Sequence, residues 1–279
     1  MLEKLLEHLE GQVVSPEITF SVIVVDNDGE QSAQAVVERF NDRGVLDIAY
    51  YSEPRQNIAL ARNSALRHAR GDFLALIDDD EFPGSDWLVQ LYQACKTYHA
   101  DGVLGPVCPS FMEPPPRWVL AGRFHEKGGH ESGEILSWRD TRTSNVLLRR
   151  ATLSRTKIQF DATFSRGGED VDFFTRLMRA GCKFVWCQDA PVFETIPPVR
   201  CTRKFMLKRA LLRGCVTTQY VTFGPWRVVK SVAAVPVYAA ALPLTVMLGQ
   251  HRAMDVLIRL VEHAGLLMAT CGLEPVKER

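Results

Sequence analysis

The sequence lacks a surplus of charge: 33 basic and 33 acidic side chains cancel. A neutral chain has no global field for a nucleic acid, so that class of partner is set aside. It also lacks paired cysteines. Its 7 cysteines form no C-x-x-C pair and are odd in number, which excludes a disulfide framework or a cysteine zinc site and fits a reducing, cytoplasmic compartment. No signal peptide is read at Met1–Gln12, an amphipathic run with acids in it. Low-complexity stretches and internal repeats are missing too. Acidic residues are absent between Glu194 and Asp255, and no charge of either sign occurs between Ser231 and Gln250.

The cancellation hides an asymmetry. Residues 1–100 carry 8 basic and 17 acidic groups, whereas residues 201–279 carry 11 and 4. The chain is acidic in front and basic behind. Hydrophobic residues make up 46%, enough for a large packed core.

Hydrophobic periodicity gives the organisation. Leu2, Leu5, Leu6 and Leu9 fall at helical spacing. Strands are predicted at 18–25, 47–51, 73–77 and 102–107, with helices over 31–42, 57–70 and 85–99 between them. That alternation predicts an α/β fold, a doubly wound, mostly parallel sheet with helices on both faces. In such sheets ligands sit at the carboxyl ends of strands. Beyond loops at 114–116 and 123–134, a strand is predicted at 143–149, a helix at 169–180, and short strands at 183–186 and 191–195. Pro197-Pro198 suggests a boundary: 1–198 as the catalytic domain, and 199–279 as a basic and apolar helical region with helices at 200–220 and 253–270.

Three carboxylate clusters sit where chemistry is expected. Asp78, Asp79, Asp80 and Glu81 follow an apolar strand. Adjacent carboxylates raise each other's pKa, and a hard divalent cation or a hydroxylated ligand relieves the repulsion. The plain alternative is a solvated turn. Asp26 and Asp28 end another strand, where turn chemistry alone explains them. Glu169, Asp170 and Asp172 open a helix after Gly167-Gly168. The macrodipole favours acids there, but a carboxylate among carboxylates is also a candidate general base.

These segments in order, VVDND at 24–28, Arg62-Asn63, GDFLALIDDDEFP at 71–83 and GGEDVDFFTRLMRAG at 167–181, resemble the family 2 glycosyltransferases of GT-A fold. TRTSNVLLRR at 141–150 and the stretch after Pro197-Pro198 are similar to bacterial members. The resemblance implies an inverting enzyme that moves a sugar from a nucleotide-sugar, UDP-linked, to a hydroxyl acceptor. The acceptor would be a saccharide or lipid-linked chain in cell-surface polysaccharide or glycolipid synthesis. It implies Asp170 as base beside Glu169. Asp26, Asp28, Arg62, Asp78 and Asp79 would bind the nucleotide, and Asp80 with Asp78 would hold Mn2+ or Mg2+. Arg200, Arg203, Lys204, Asp172 and Trp138 are weaker candidates for phosphate or acceptor contacts.

Two departures stand out. The family's opening strand has no counterpart before the first helix, and Ala59 replaces a usual glycine. The rival readings are a sugar nucleotidyltransferase, which would want a glycine-rich phosphate loop, and a catalytically impaired nucleotide-sugar-binding protein. Residues 232–249 are apolar but interrupted by Pro236 and Pro243, with basic residues and Trp226 upstream. That pattern suits an anionic inner-membrane surface, by spanning, re-entry or lying at the interface. A buried helical hairpin is the alternative.

Overall fold

The computed structural model describes residues 1–164, 167–220 and 223–273. The first half runs α1 (Leu2–Glu10), β1 (Val22–Asp26), α2 (Gln34–Arg43), β2 (Ile48–Ser52), α3 (Ile58–His68), β3 (Phe73–Leu76), β4 (Glu81–Pro83), α4 (Trp87–Thr97) and β5 (Gly102–Leu104). It continues with β6 (Val107–Phe111), α5 (Arg117–Ala121), β7 (Val146–Arg149), α6 (Arg150–Thr156), α7 (Glu169–Arg179), β8 (Phe184–Trp186) and β9 (Val192–Ile196). Three helices close the chain, α8 (Arg203–Val216), α9 (Pro225–Met247) and α10 (Gln250–Thr270), with short 3-10 turns on either side of α8.

The α/β alternation is present, and the sheets are mixed. β1 pairs with β2 in parallel. A second sheet has the order β3–β7–β5–β8, in which β7 lies antiparallel between β3 and β5 while β5 and β8 are parallel. The strand predicted at 143–149 thus enters against the others. The loop from 112 to 145 returns the chain without a crossover helix long enough to impose a parallel direction. A third sheet, β4–β9–β6, begins at the acidic turn. Among the described residues no strand joins the β1–β2 pair to β3.

The chain divides into two compact units. One comprises Met1–Pro109, Lys127–Ser165 and Glu169–Thr195; the other comprises Ser110–Glu126, Arg166–Gly168 and Ile196–Arg279. In the first unit, Leu5, Leu6 and Leu9 of α1 pack with Phe40, Trp87 and Leu91. A second cluster sets Phe173, Phe174 and Leu177 of α7 against Phe184 and Trp186 of β8. In the second unit Val119, Ile196, Cys201, Met206 and Met254 form the core, with Trp118 and Phe124 packed against it. Both aromatics are packing residues.

Asn145, within the TRTSN string, is fully buried at a φ of 54°, a left-handed conformation that asparagine tolerates. Its Nδ2 donates to the carbonyls of Pro106 and Ala190, both at 2.8 Å, and its Oδ1 accepts from the Trp87 indole at 2.7 Å. One polar side chain so ties three segments together without leaving a buried group unsatisfied.

Candidate active site

The site is built at strand ends and one helix start of the first unit. Asp26 closes β1 and is 6% exposed. Its carboxylate accepts from the backbone N–H of Asp28 and of Ala33, each at 2.9 Å, and from the Tyr50 hydroxyl at 3.1 Å. Asp26 thereby shapes the 27–33 loop. Burial, helped by that carboxylate, pushes the Tyr50 phenol up to about 12. Asp28, in the same loop, is held below the usual carboxylate range by the Glu30 N–H and the Ser32 hydroxyl.

Helix α3 is started by Asn57, whose side chain accepts from the N–H groups of Ala59 and Leu60. This start sets the phase of the Arg62-Asn63 pair. Asn63 clamps Phe160 from both sides, donating to its carbonyl and accepting from its N–H at 2.8 Å each. Arg62, with a side chain 13% exposed, bonds Asp78 at 3.3 Å and forms an ion pair with Glu169. The acidic turn after β3 and the start of α7 meet through this one guanidinium.

Glu169 is buried, and burial raises its carboxyl while Arg62 opposes the rise. Among the described residues its second oxygen has no partner. Asp170 is half-buried, and its Oδ1 accepts from the Val171 N–H at 2.7 Å. Asp172 is 3% exposed and committed to Arg176 on the next turn of α7, with Nε to Oδ2 at 2.7 Å. That contact braces the first turns of the helix.

At the acidic turn, Asp78 keeps 42% of its side chain exposed. The Asp80 carbonyl accepts from the Thr195 N–H at 2.8 Å. Glu81 points inward and lies opposite Glu194 on β9. Burial, reinforced by Asp78, pushes Glu81 up to about 8. Lys127 answers the cluster from outside, 3.1 Å from Glu194.

Arg142 carried no role in the sequence reading. Burial lowers its pKa, and the charges of Glu81, Asp140, Asp170 and Glu194 hold the cation in place. Only its place in the TRTSN string pointed to it. Trp138 is half-buried with the Arg139 guanidinium 4.6 Å from its ring centre. Nearby loop residues Gly129, His130, Glu131 and Glu134 line a cavity of about 570 Å3 with Trp186 and Gln188. In the second unit, Arg200 lies in the 3-10 turn Pro198–Cys201, while Arg203 and Lys204 are exposed in the first turn of α8. Arg203 donates to Gln250 at 3.3 Å.

Among the described residues no three His, Cys, Asp or Glu side chains converge as a ready metal cage. The donor set still suits a hard cation. Magnesium-type ions are held by one or two carboxylates and complete their shell with substrate phosphates, and the partly exposed oxygen-only turn at Asp78–Asp80 offers those carboxylates.

Known proteins resemble this chain in sequence and in fold. The family model described as "Glycosyl transferase family 2" matches residues 1–156. The succinoglycan biosynthesis protein ExoM of Rhizobium meliloti (strain 1021) is 34% identical over 99% of this chain and 91% of its own length. The mannosyltransferase PcManGT of Pyrobaculum calidifontis, solved with GDP-Man and Mn2+, is similar at a TM-score of 0.66 and 18% identity, over 98% of this chain and 84% of that one. S. aureus TarS 1-349 with UDP-GlcNAc is similar at 0.55 and 14%, over 99% and 89%. The fold is the GT-A fold of these structures.

Proposed function

This chain belongs to glycosyl transferase family 2, and from that membership we propose that it transfers a sugar, with inversion, from a UDP-sugar to a hydroxyl of a growing cell-surface polysaccharide or glycolipid at the cytoplasmic face of the inner membrane. It is a glycosyltransferase; the donor, the acceptor, the location and the metal dependence are our reading. The observation that carries the residue assignment is Arg62, which ties the acidic turn to the start of α7. The ExoM relative supports the polysaccharide context, and the neighbours solved with UDP-GlcNAc and with GDP-Man and Mn2+ support the donor class and the ion.

In this reading Asp170 accepts the proton of the acceptor hydroxyl as that oxygen attacks the anomeric carbon. The bond from that carbon to the diphosphate oxygen breaks in the same displacement. Asp80 and Asp78 would hold a Mn2+ or Mg2+ ion, which would supply charge neutralisation for the leaving diphosphate. Asp28 and Asp79 sit at the strand ends where a nucleoside binds, and Asp26 fixes the loop beside them. Arg62 pairs with one oxygen of Glu169, and the neighbouring Asp170 is assigned as the base. Arg200, Arg203 and Lys204 are assigned to phosphate or acceptor contacts, and Trp138 to the acceptor side.

The test is donor turnover with manganese. Asp80→Ala should lose manganese-stimulated UDP-sugar binding, and Asp170→Asn should keep binding while losing transfer. Unchanged transfer in Asp170→Asn sinks the base assignment.

A further inference from the structure

Helix α9 has two unlike sides. Trp226, Val229, Val232, Val237, Leu244 and Met247 are all exposed, the last at 85%. Spaced 3, 3, 5, 7 and 3 residues apart, they fall on one side of the helix and form an apolar stripe about 30 Å long at 1.5 Å per residue. The only charges in the helix are Arg227 and Lys230, both basic and both in its first two turns. Among the described residues it is the one helix long and apolar enough to cross a membrane, and little of it is buried.

The other side is fastened by polar contacts. Ser231 is fully buried with its hydroxyl 2.8 Å from Nδ1 of His263 on α10. The Tyr238 ring stacks on His263 at 5.7 Å, and Tyr238 also bonds Arg259. Helix α10 is pressed equally closely to α8. A Cβ on Gly214 would meet the Glu262 carbonyl oxygen at 2.1 Å, and one on Gly265 the Leu211 carbonyl oxygen at 2.5 Å. Arg213 and Glu262 add an ion pair at 2.7 Å. Helices α8, α10 and α9 are one layered body.

A spanning α9 would have to take α10 with it. That helix carries Arg252, Asp255, Arg259 and Glu262, and each charge at a bilayer centre costs about 2.5–3.5 kcal/mol. Resting on the surface costs none of this. Residues 196–279 hold 12 basic and 4 acidic groups, so the body that presents the stripe is cationic. Like charge opposes a second copy on this face, whereas an anionic lipid surface complements it.

We propose that α9 is an in-plane docking helix whose outer stripe sits in the interfacial layer of an anionic bilayer without crossing it. This deepens the membrane-side placement proposed above by naming the element, its buried face and its orientation. Donor turnover in vesicle-free buffer, read in parallel, keeps a failure of docking distinct from a failure of the transferase reading.

The experiment is flotation of the full chain with phosphatidylcholine vesicles, with and without about one third phosphatidylglycerol. Binding should be at least about tenfold stronger to the anionic vesicles, weaken as salt rises from about 0.1 M to about 0.5 M, and be released by alkaline carbonate. The triple variant Val229→Asp, Val237→Asp, Leu244→Asp should lose binding at an unchanged melting temperature. Trp226 emission provides a check on the native fold. It should shift to the blue with anionic vesicles, and Trp226→Phe should lack that component. Retention after carbonate overturns in-plane docking in favour of spanning. Equal binding to neutral vesicles, or a salt-insensitive dimer abolished by the triple variant, overturns the anionic surface as occupant.

Discussion

At the residue scale, the pairing of Arg62 with Asp78 and Glu169 makes separable predictions. Asp170→Asn removes a proton acceptor and little else, so transfer should fall by about 100- to 10,000-fold with donor affinity nearly unchanged. Arg62→Ala removes the partner of a buried carboxylate. Leaving such a charge uncompensated costs about 3–5 kcal/mol, so this variant should melt earlier as well as lose activity. Arg62→Lys keeps the charge but cannot bridge two carboxylates in a fixed fork. It should recover melting temperature more than kcat, and equal recovery of both would reduce Arg62 to a structural ion pair. None of this pairing was legible along the chain. Arg62 and Glu169 are 107 positions apart, and the contacts of α3 with Phe160 and Ala162 help bring them together. Sequence spacing did find the Asp78–Glu81 cluster, and it anticipated the mutual repulsion. It did not show that Glu81 alone would be turned inward, because burial is decided by β9 lying opposite.

At the element scale, periodicity found the amphipathic helices and most strands. It missed β4, β6, α5 and α6. Three residues ending in Pro83 are too few to show alternation, and α6 was hidden by the predicted strand running straight into it. The direction of β7 was also illegible, since pairing sense depends on the connection and not on the strand's residues. Helix contacts offer a sharper test. Gly214 lets α8 meet the α10 backbone, and a methyl there would lie 2.1 Å from the Glu262 carbonyl. Gly214→Ala should therefore cost about 1–3 kcal/mol through forced separation of the helices, although alanine is the better helix former. A calorimetric scan showing a stabilised Gly214→Ala would mean that α8 and α10 are not in contact.

The same layer also carries a pH dependence. Burial, with Lys230 nearby, lowers the His263 pKa below its ordinary 6.5, while Glu262 opposes and Arg259 assists. The folded state thus disfavours the proton that the unfolded chain accepts. Stability from this site is complete above pH 6.5 and declines as pH falls below it. Melting curves between pH 7.5 and 5.5 should move down for the native chain (read against the ordinary histidine value of about 6.5) and less for His263→Gln. A parallel decline in both would assign the effect to other groups.

At the scale of the whole molecule, the basic C-terminal region is structurally continuous with a segment from the middle of the chain. Composition suggested one cut after residue 198, because the Pro-Pro pair and the loss of acids coincide there. Packing adds Ser110–Glu126 to the C-terminal helices. Phe111, Trp118, Val119 and Phe124 meet Met254, Leu257 and Ile258 in one cluster, a pairing that no local pattern encodes. It follows that α10 is a wall of this core. Deleting residues 250–279 would remove Met254, Leu257 and Ile258 and so uncover Val119, Ile196 and Met206, each large apolar side chain being worth about 1.5–3 kcal/mol when buried. It would also free the α9 side that now holds Ser231 and Tyr238 against His263. Limited proteolysis of such a truncation should cut within 110–126 at least about tenfold faster than in the full chain, because local opening governs cleavage when reclosing is fast. The outward triple aspartate variant of α9 should leave that rate unchanged, since its side chains touch solvent. Equal cleavage of truncated and full chains would make α10 an appendage, and the layered body on which in-plane docking depends would fall with it.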